Sequence, residues 1–154
     1  PCNIRDEEMA DLEDLLAGAA IAGDDMVHFI WESFDSRDLE LATTRQRLLA
    51  ALAGEWLRGE VPGAGLQGAG VHRSGDDLWV GERKLAISVA VVSGVSSLVH
   101  FAVNASPGGA PVPTVSLQEL GADPESFGRG LMESLVQEVD GIRSARARVR
   151  FRDG

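Results

Sequence analysis

The sequence predicts an α+β fold: a mostly antiparallel or mixed sheet with helices packed on one face. Three observations point there. The stretch from Ser74 to Ser106 reads as consecutive strands joined by tight turns, a connection suited to antiparallel neighbours. Two segments outside it, Asp35 to Arg58 and Asp123 to Val139, carry apolar residues at helical spacing. The middle strands follow one another without helices between them, which disfavours a doubly wound parallel sheet.

The elements follow in chain order. Asn3 to Ala20 is predicted helical. Met9, Leu12, Leu15, Leu16 and Ala19 fall on one face, and Asp6, Glu7 and Glu8 occupy a first turn whose dipole favours acids. Gly23-Asp24-Asp25 reads as a turn. Met26 to Phe34 is short and rich in aromatic and branched residues, hence a strand. Asp35-Ser36 offers a cap for a helix to about Arg58, with Leu41, Leu48, Leu52 and Trp56 as its stripe beside Ala42, Leu49 and Ala53, and Arg45 interrupting it. Gly59 to Gly70 is a glycine-rich connection.

Leu78-Trp79-Val80 is a short apolar strand between the turn pairs Asp76-Asp77 and Gly81-Glu82. Lys84 to Val92 is a longer strand, Ser93-Gly94 breaks it, and Val95 to Asn104 returns. Prolines and glycines make 107–113 irregular. Ser116-Leu117-Gln118-Glu119 is a capping-box pattern for a short helix stopped by Gly121. Asp123-Pro124 opens another helix, with Phe127, Leu131, Leu135 and Val139 spaced by four. From Ala145 the period changes to two: Arg146, Arg148, Arg150 and Arg152 alternate with Ala147, Val149 and Phe151, which predicts a final strand.

Length and charge bound the function. A chain of 154 residues suggests one domain over 1–154, and the start at Pro1 suggests that strands of a longer protein precede it. A formal charge of −10 argues against nucleic acid and anionic membranes as partners. No run is apolar enough to span a bilayer, no signal peptide is visible, and one cysteine excludes an intrachain disulfide, so a cytoplasmic protein is expected.

The residues also nominate a site. Lys84, the one lysine among 14 basic residues, sits at the mouth of an apolar strand just past a turn, where a rigid sheet can aim it at an anion. Arg73 can meet a carboxylate or phosphate in bidentate fashion. His28 shares a strand face with Glu32, and His28 and His100 are pocket or core candidates. No histidines pair at helical spacing, and no metal site is expected.

The string G-D-D-L-W-V-G-E-R-K-L-A (Gly75 to Ala86) resembles a segment of biotin and lipoate protein ligases, where a strand, a turn and a lysine-bearing strand face the bound acyl group. V-H-F-A-V-N-A-S (Val99 to Ser106) resembles their following strand, which ends in asparagine. From Asp11 onward the chain more closely resembles domain of unknown function 366, a family grouped with the ligase fold, through D-L-E-D-L, H-F-I-W-E, R-Q-R-L-L, G-D-D-L-W-V-G-E-R-K-L and P-V-P-T-V-S-L-Q-E-L-G.

The resemblance implies that Lys84 holds a carboxylate and stabilises charge developing on an acyl oxygen or phosphate. It implies polar roles for Asp77 and Asp76 near nucleotide and metal, ligand contact by Asn104, and ATP with Mg2+ as cofactors. It also implies a rival centre: some acyltransferases of this fold use a cysteine with a lysine partner, and Cys2 precedes the first predicted helix, where a thiolate is stabilised.

The chain departs from the ligases in two places. Gly18 to Asp25 has no arginine and two aspartates where they carry an arginine- and glycine-rich loop, and Ile87-Ser88 replaces the glycine after the lysine motif. The expected function is binding of a small-molecule carboxylate or acyl group, with ligase or acyltransferase chemistry. The alternative is a metabolite-binding or assembly module that kept the fold without adenylation. Exposed strand edges make a homo-oligomer an expectation.

Overall fold

The structure, a computed structural model, describes residues 2–4, 9–10, 16, 21–61 and 70–149. Its strands are β1 (Cys2–Ile4), β2 (Ile21–Gly23), β3 (Met26–Ser33), β4 (Val71–Ser74), β5 (Asp77–Val80), β6 (Arg83–Lys84), β7 (Ala86–Val92) and β8 (Ser97–Asn104). Its named helices are α1 (Leu39–Glu60) and α2 (Pro124–Arg148). The fold is α+β, and among the described residues the named strands pair antiparallel, with one isolated parallel bridge from Lys84 to Thr114.

Three sheets form. The largest has the order β3-β8-β7, with Phe29 opposite Phe101 and Ser88 opposite Phe101 on the other side. β4-β5-β6 is a small meander, and β1 pairs with β2. β8 is central because it alternates well: Val99, Phe101 and Val103 are buried toward the helices, while Leu98 and His100 point to the outer face. α1 lies across β7 and β8 and packs on α2, β4 and β5. Phe29, Phe101 and Phe127 sit at the centre of one hydrophobic cluster with Leu49, Leu57, Leu78, Leu85 and Leu131. Each such side chain contributes about 1.5–3 kcal/mol by leaving water.

α1 starts three residues later than the sequence suggests. Asp38 is the cap, accepting hydrogen bonds from Glu40 N at 2.8 Å and Leu41 N at 3.1 Å. Asp35 is instead engaged by Arg45 at 2.7 Å. The buried stripe is also rotated: Ala42, Gln46, Leu49, Ala53 and Leu57 face the sheet, whereas Leu41 is exposed. Small residues decide this. Ala42, Ala50, Ala53 and Gly54 let the helix backbone approach, and a Cβ on Gly54 would already stand 3.3 Å from Leu78 Cδ2.

Four further expectations are corrected. The helix over Asn3–Ala20 does not begin as one. Cys2, Asn3 and Ile4 pair with Gly23, Ala22 and Ile21, which satisfies their backbone in a ladder. Leu16 is helical, and 5–8, 11–15 and 17–20 lie outside the described residues. The capping box is made, Glu119 N donating to Ser116 Oγ at 3.3 Å and Ser116 N to Glu119 Oε2 at 3.0 Å, but it closes a single turn. Gly121 at φ 79° ends that turn before a helix can propagate.

The strand over 84–92 is divided at Leu85, whose N–H donates to Leu78 O at 2.8 Å and whose carbonyl accepts from Asn104 N at 3.1 Å. One residue thus joins two sheets. The final strand is absent through Arg148, where α2 continues. Arginine and alanine are both strong helix formers, and the alternating pattern gains nothing without a neighbouring strand. Residues 150–154 lie outside the described residues, as do 62–69 in the glycine-rich connection. β4 was not anticipated, because Val71 is its one buried apolar side chain.

Candidate functional site

The β5-β6 hairpin sets the geometry around Lys84. Gly81 at φ 60° closes a two-residue turn, so Val80 faces Arg83 and Trp79 faces Lys84. Leu78 and Val80 face the core, which leaves Asp77, Trp79 and Lys84 on the other side of the small sheet. There Lys84 Nζ lies 2.8 Å from Asp77 Oδ2 and 5.6 Å from the centroid of the Trp79 ring. The two charged side chains are about three-quarters covered, at 26% and 24% exposure. An ammonium so placed keeps its charge partly shielded from water, and the ring face adds attraction to cations.

The backbone of Lys84 is held on both sides. Its N–H donates to Pro113 O at 3.0 Å and its carbonyl accepts from Val115 N at 3.0 Å. The amide of Asn104 donates to the carbonyls of Lys84 at 3.3 Å and Val115 at 3.1 Å. Asn104 therefore fastens the end of β8 to the lysine strand and its flanking loop. Arg83 extends the same fastening, with Glu119 Oε1 at 3.0 Å.

Leu85 and Ala86 are both buried, so the inward–outward alternation slips by one. Lys84, Ile87 and Val89 consequently fall on the side away from the helices, the side that carries His28 and His100. His28 Nδ1 lies 3.0 Å from His100 Nε2, with ring centroids 5.2 Å apart. His28 stands opposite Ala102, whose small side chain lets the ring lean diagonally to His100. Burial lowers the pKa of both imidazoles from the ordinary 6.5, and the proximity of His28 lowers His100 further. His100 is four residues from Asn104 along β8, or about 13 Å at the rise of an extended chain.

The other nominated residues are placed apart from this group. Asp76 turns inward: its Oδ2 accepts from Gln46 Nε2 and Ser88 Oγ, each at 2.8 Å, tying the β4-β5 turn to α1 and β7. Arg73 is exposed, and its guanidinium donates to the carbonyl of Gly75. Cys2 lies on β1 opposite Gly23, and its side chain is outside the described residues. Trp79 was missed. A two-residue turn at Gly81-Glu82 dictates its pairing with Lys84, so the signal was in the sequence. Gln46 and Ser88 had no such signal, because only the packing of α1 on β7 brings them to Asp76.

Among the described residues, no group of three or more His, Cys, Asp and Glu is placed to hold a metal ion, and no helix is long and apolar enough to cross a membrane.

The family model for a domain of unknown function, DUF366, matches residues 1–150. The chain belongs to the DUF366 family. An uncharacterized protein of Methanocaldococcus jannaschii is 30% identical over 142 residues, covering 88% of this DUF366 chain and 61% of the relative. The chain thus spans less than two thirds of that relative's length. A solved protein of unknown function from Pyrococcus horikoshi superposes with a TM-score of 0.88 at 40% identity, over 99% of this chain and 78% of that one. The biotin protein ligase of Aquifex aeolicus superposes with a TM-score of 0.61 at 12% identity, over 79% of this chain and 56% of the ligase. At that identity the likeness is one of fold.

Acidic side chains gather where the strands near Gly23 turn. The described residues there, Ile21 to Asp25, offer two carboxylates and no cation. Asp25 accepts from Ser106 Oγ at 3.0 Å, and Asp24 packs on Gly109 so closely that a Cβ there would meet its carboxylate at 2.6 Å. Carboxylates in that position repel phosphate oxygens.

Proposed function

We propose that this DUF366 chain binds a small carboxylic acid or acyl group on the outer side of its sheets, with the Lys84 ammonium as the anion-holding group. The observation that carries this reading is the pairing of Lys84 with Asp77 at 2.8 Å over the Trp79 ring, on a hairpin of a ligase-like fold. Asp77 occupies the ammonium in the way an incoming carboxylate would, and it keeps the amine oriented between binding events. The apolar outer positions Ile87 and Val89 lead from Lys84 toward His100, a path suited to a hydrocarbon body behind an acidic head. A solved Aquifex aeolicus ligase of the same fold is described in complex with biotin and ATP, which makes biotin a sensible first probe.

The test is a thermal-shift and calorimetric screen of biotin, lipoate, octanoate and short-chain acids against the wild type and Lys84→Ala. At least one acid should raise the melting temperature of the wild type and not of the variant. An acid that shifts both proteins equally, or no shift with any acid, defeats the assignment.

A second reading, a binding module without adenylation, is favoured by the paired carboxylates Asp24 and Asp25 where a phosphate cradle would be needed. Acid-dependent ATP–pyrophosphate exchange separates the two. Exchange supports a ligase, whereas acid binding without exchange supports the module.

A further inference from the structure

We infer that His28 and His100 form a two-imidazole site for a divalent transition-metal ion, binding through His28 Nδ1 and His100 Nε2. This inference does not rest on the carboxylate reading of Lys84. Geometry carries it. The two nitrogens are 3.0 Å apart. With metal–nitrogen bonds of about 2.05 Å, that separation corresponds to a nitrogen–metal–nitrogen angle of roughly 94°. Such a bite suits the tetragonal preference of Cu2+ or Ni2+, and opening it by about 0.3 Å would suit tetrahedral Zn2+.

The scaffold holds the donors in place. His28 sits on β3 and His100 on the central strand β8, whose registers are fixed by a continuous antiparallel ladder. The face is reachable: His28 is exposed and His100 half-buried. The nearest outer positions in the ladder, Ile30, Ala102 and Val89, are apolar. Two protein donors leave the remaining coordination positions to water or to an added ligand, which distinguishes this site from a closed structural one.

Without metal, the same contact is an N–H···N hydrogen bond in which one ring donates and the other accepts. Metal entry replaces that shared proton. The donating ring shifts to its other tautomer, so its proton moves through solvent to the far nitrogen of the same imidazole, and no net proton is released.

The experiment uses tag-free, EDTA-treated protein titrated with Cu2+, Ni2+ and Zn2+ by calorimetry, with Cu2+ spectra by electron paramagnetic resonance. One equivalent of Cu2+ should bind, with coupling to two imidazole nitrogens. His28→Gln or His100→Gln should each weaken it by more than the about ten- to hundredfold that loss of an outer-shell partner costs. Lys84→Ala and His72→Gln should bind as the wild type does. Circular dichroism of each variant separates loss of the site from loss of the fold, and His28→Gln, at an exposed position, is expected to fold. No stoichiometric binding by the wild type, or equal binding by a folded His28→Gln protein, overturns the inference.

Discussion

Gly130→Ala puts the helix packing to a quantitative test. Gly130 lies on α2 where Trp56 of α1 crosses it. A Cβ at this position would stand 2.9 Å from Cδ1 and Cε2 of the indole, and nearer still to Nε1. Ordinary carbon–carbon contact is about 3.5–4.0 Å. The indole has little freedom to yield, because it meets Phe127 edge-on with centroids 5.3 Å apart, and Phe127 is itself fully buried and edge-on to Phe29.

On an uncrowded helix the change would gain about 1 kcal/mol, since alanine is the better helix former. Overpacking costs about 1–3 kcal/mol, here toward the upper end, and a disturbed aromatic pair adds about 0.5–1.5 kcal/mol. The net expectation is a loss of about 2–3 kcal/mol, or a melting temperature lower by about 4–12 °C for a chain of this size.

Urea unfolding followed by circular dichroism measures it, with an unchanged slope confirming that the unfolded state is not the cause. In a Trp56→Leu background the same substitution should become stabilising by about 1 kcal/mol, because only the propensity term remains. A Gly130→Ala protein more stable than wild type would refute the close crossing.

Asp76→Ala should destabilise by about 1–3 kcal/mol in chemical unfolding, since Gln46 and Ser88 lose their common acceptor beneath α1; a neutral result would mean water replaces it without cost. Asn104→Ala should cost a similar amount, about 1–3 kcal/mol, and should also loosen 113–116 by hydrogen exchange, because two carbonyls lose their donor. Asp38→Ala should cost about 1 kcal/mol by removing the α1 cap.

Stability should fall on acidification through the histidine range. The folded imidazoles of His28 and His100 have pKa values below 6.5, chiefly through burial. The unfolded chain therefore takes up their protons first, and the stabilisation, complete above the unfolded value, is lost as pH falls through the folded values. A His28→Gln/His100→Gln protein should show a flatter profile between neutral pH and the onset of carboxylate titration. Equal slopes would show that the pair contributes nothing to it.

Much of the fold was legible because local rules sufficed. The alternation of β8, the Gly81 turn, the Asp123-Pro124 start of α2 and the four-residue spacing of Phe127 and Leu131 all depend on neighbours in sequence. The hairpin even specified that Trp79 faces Lys84. Where the local signal had rivals, it misled. Arg146 to Arg148 alternate with alanine as a strand would, yet they continue α2, because both residue types favour a helix where no strand lies alongside. Asp35 looked like the cap of α1 until Arg45, ten positions away, claimed its carboxylate at 2.7 Å.

The site divides in the same way. Sequence by itself determined that a lone lysine would leave a tight turn on a short strand, and that His28 and His100 would occupy strands. Only the tertiary structure decided that Asp77 would hold that lysine, that Asp76 would turn inward to Gln46 and Ser88, and that two histidines 72 residues apart would meet at 3.0 Å. The reason is physical. A side chain's direction follows from backbone alternation, which sequence carries, whereas its partner is chosen by strand register and helix approach, which are settled by burying one shared core.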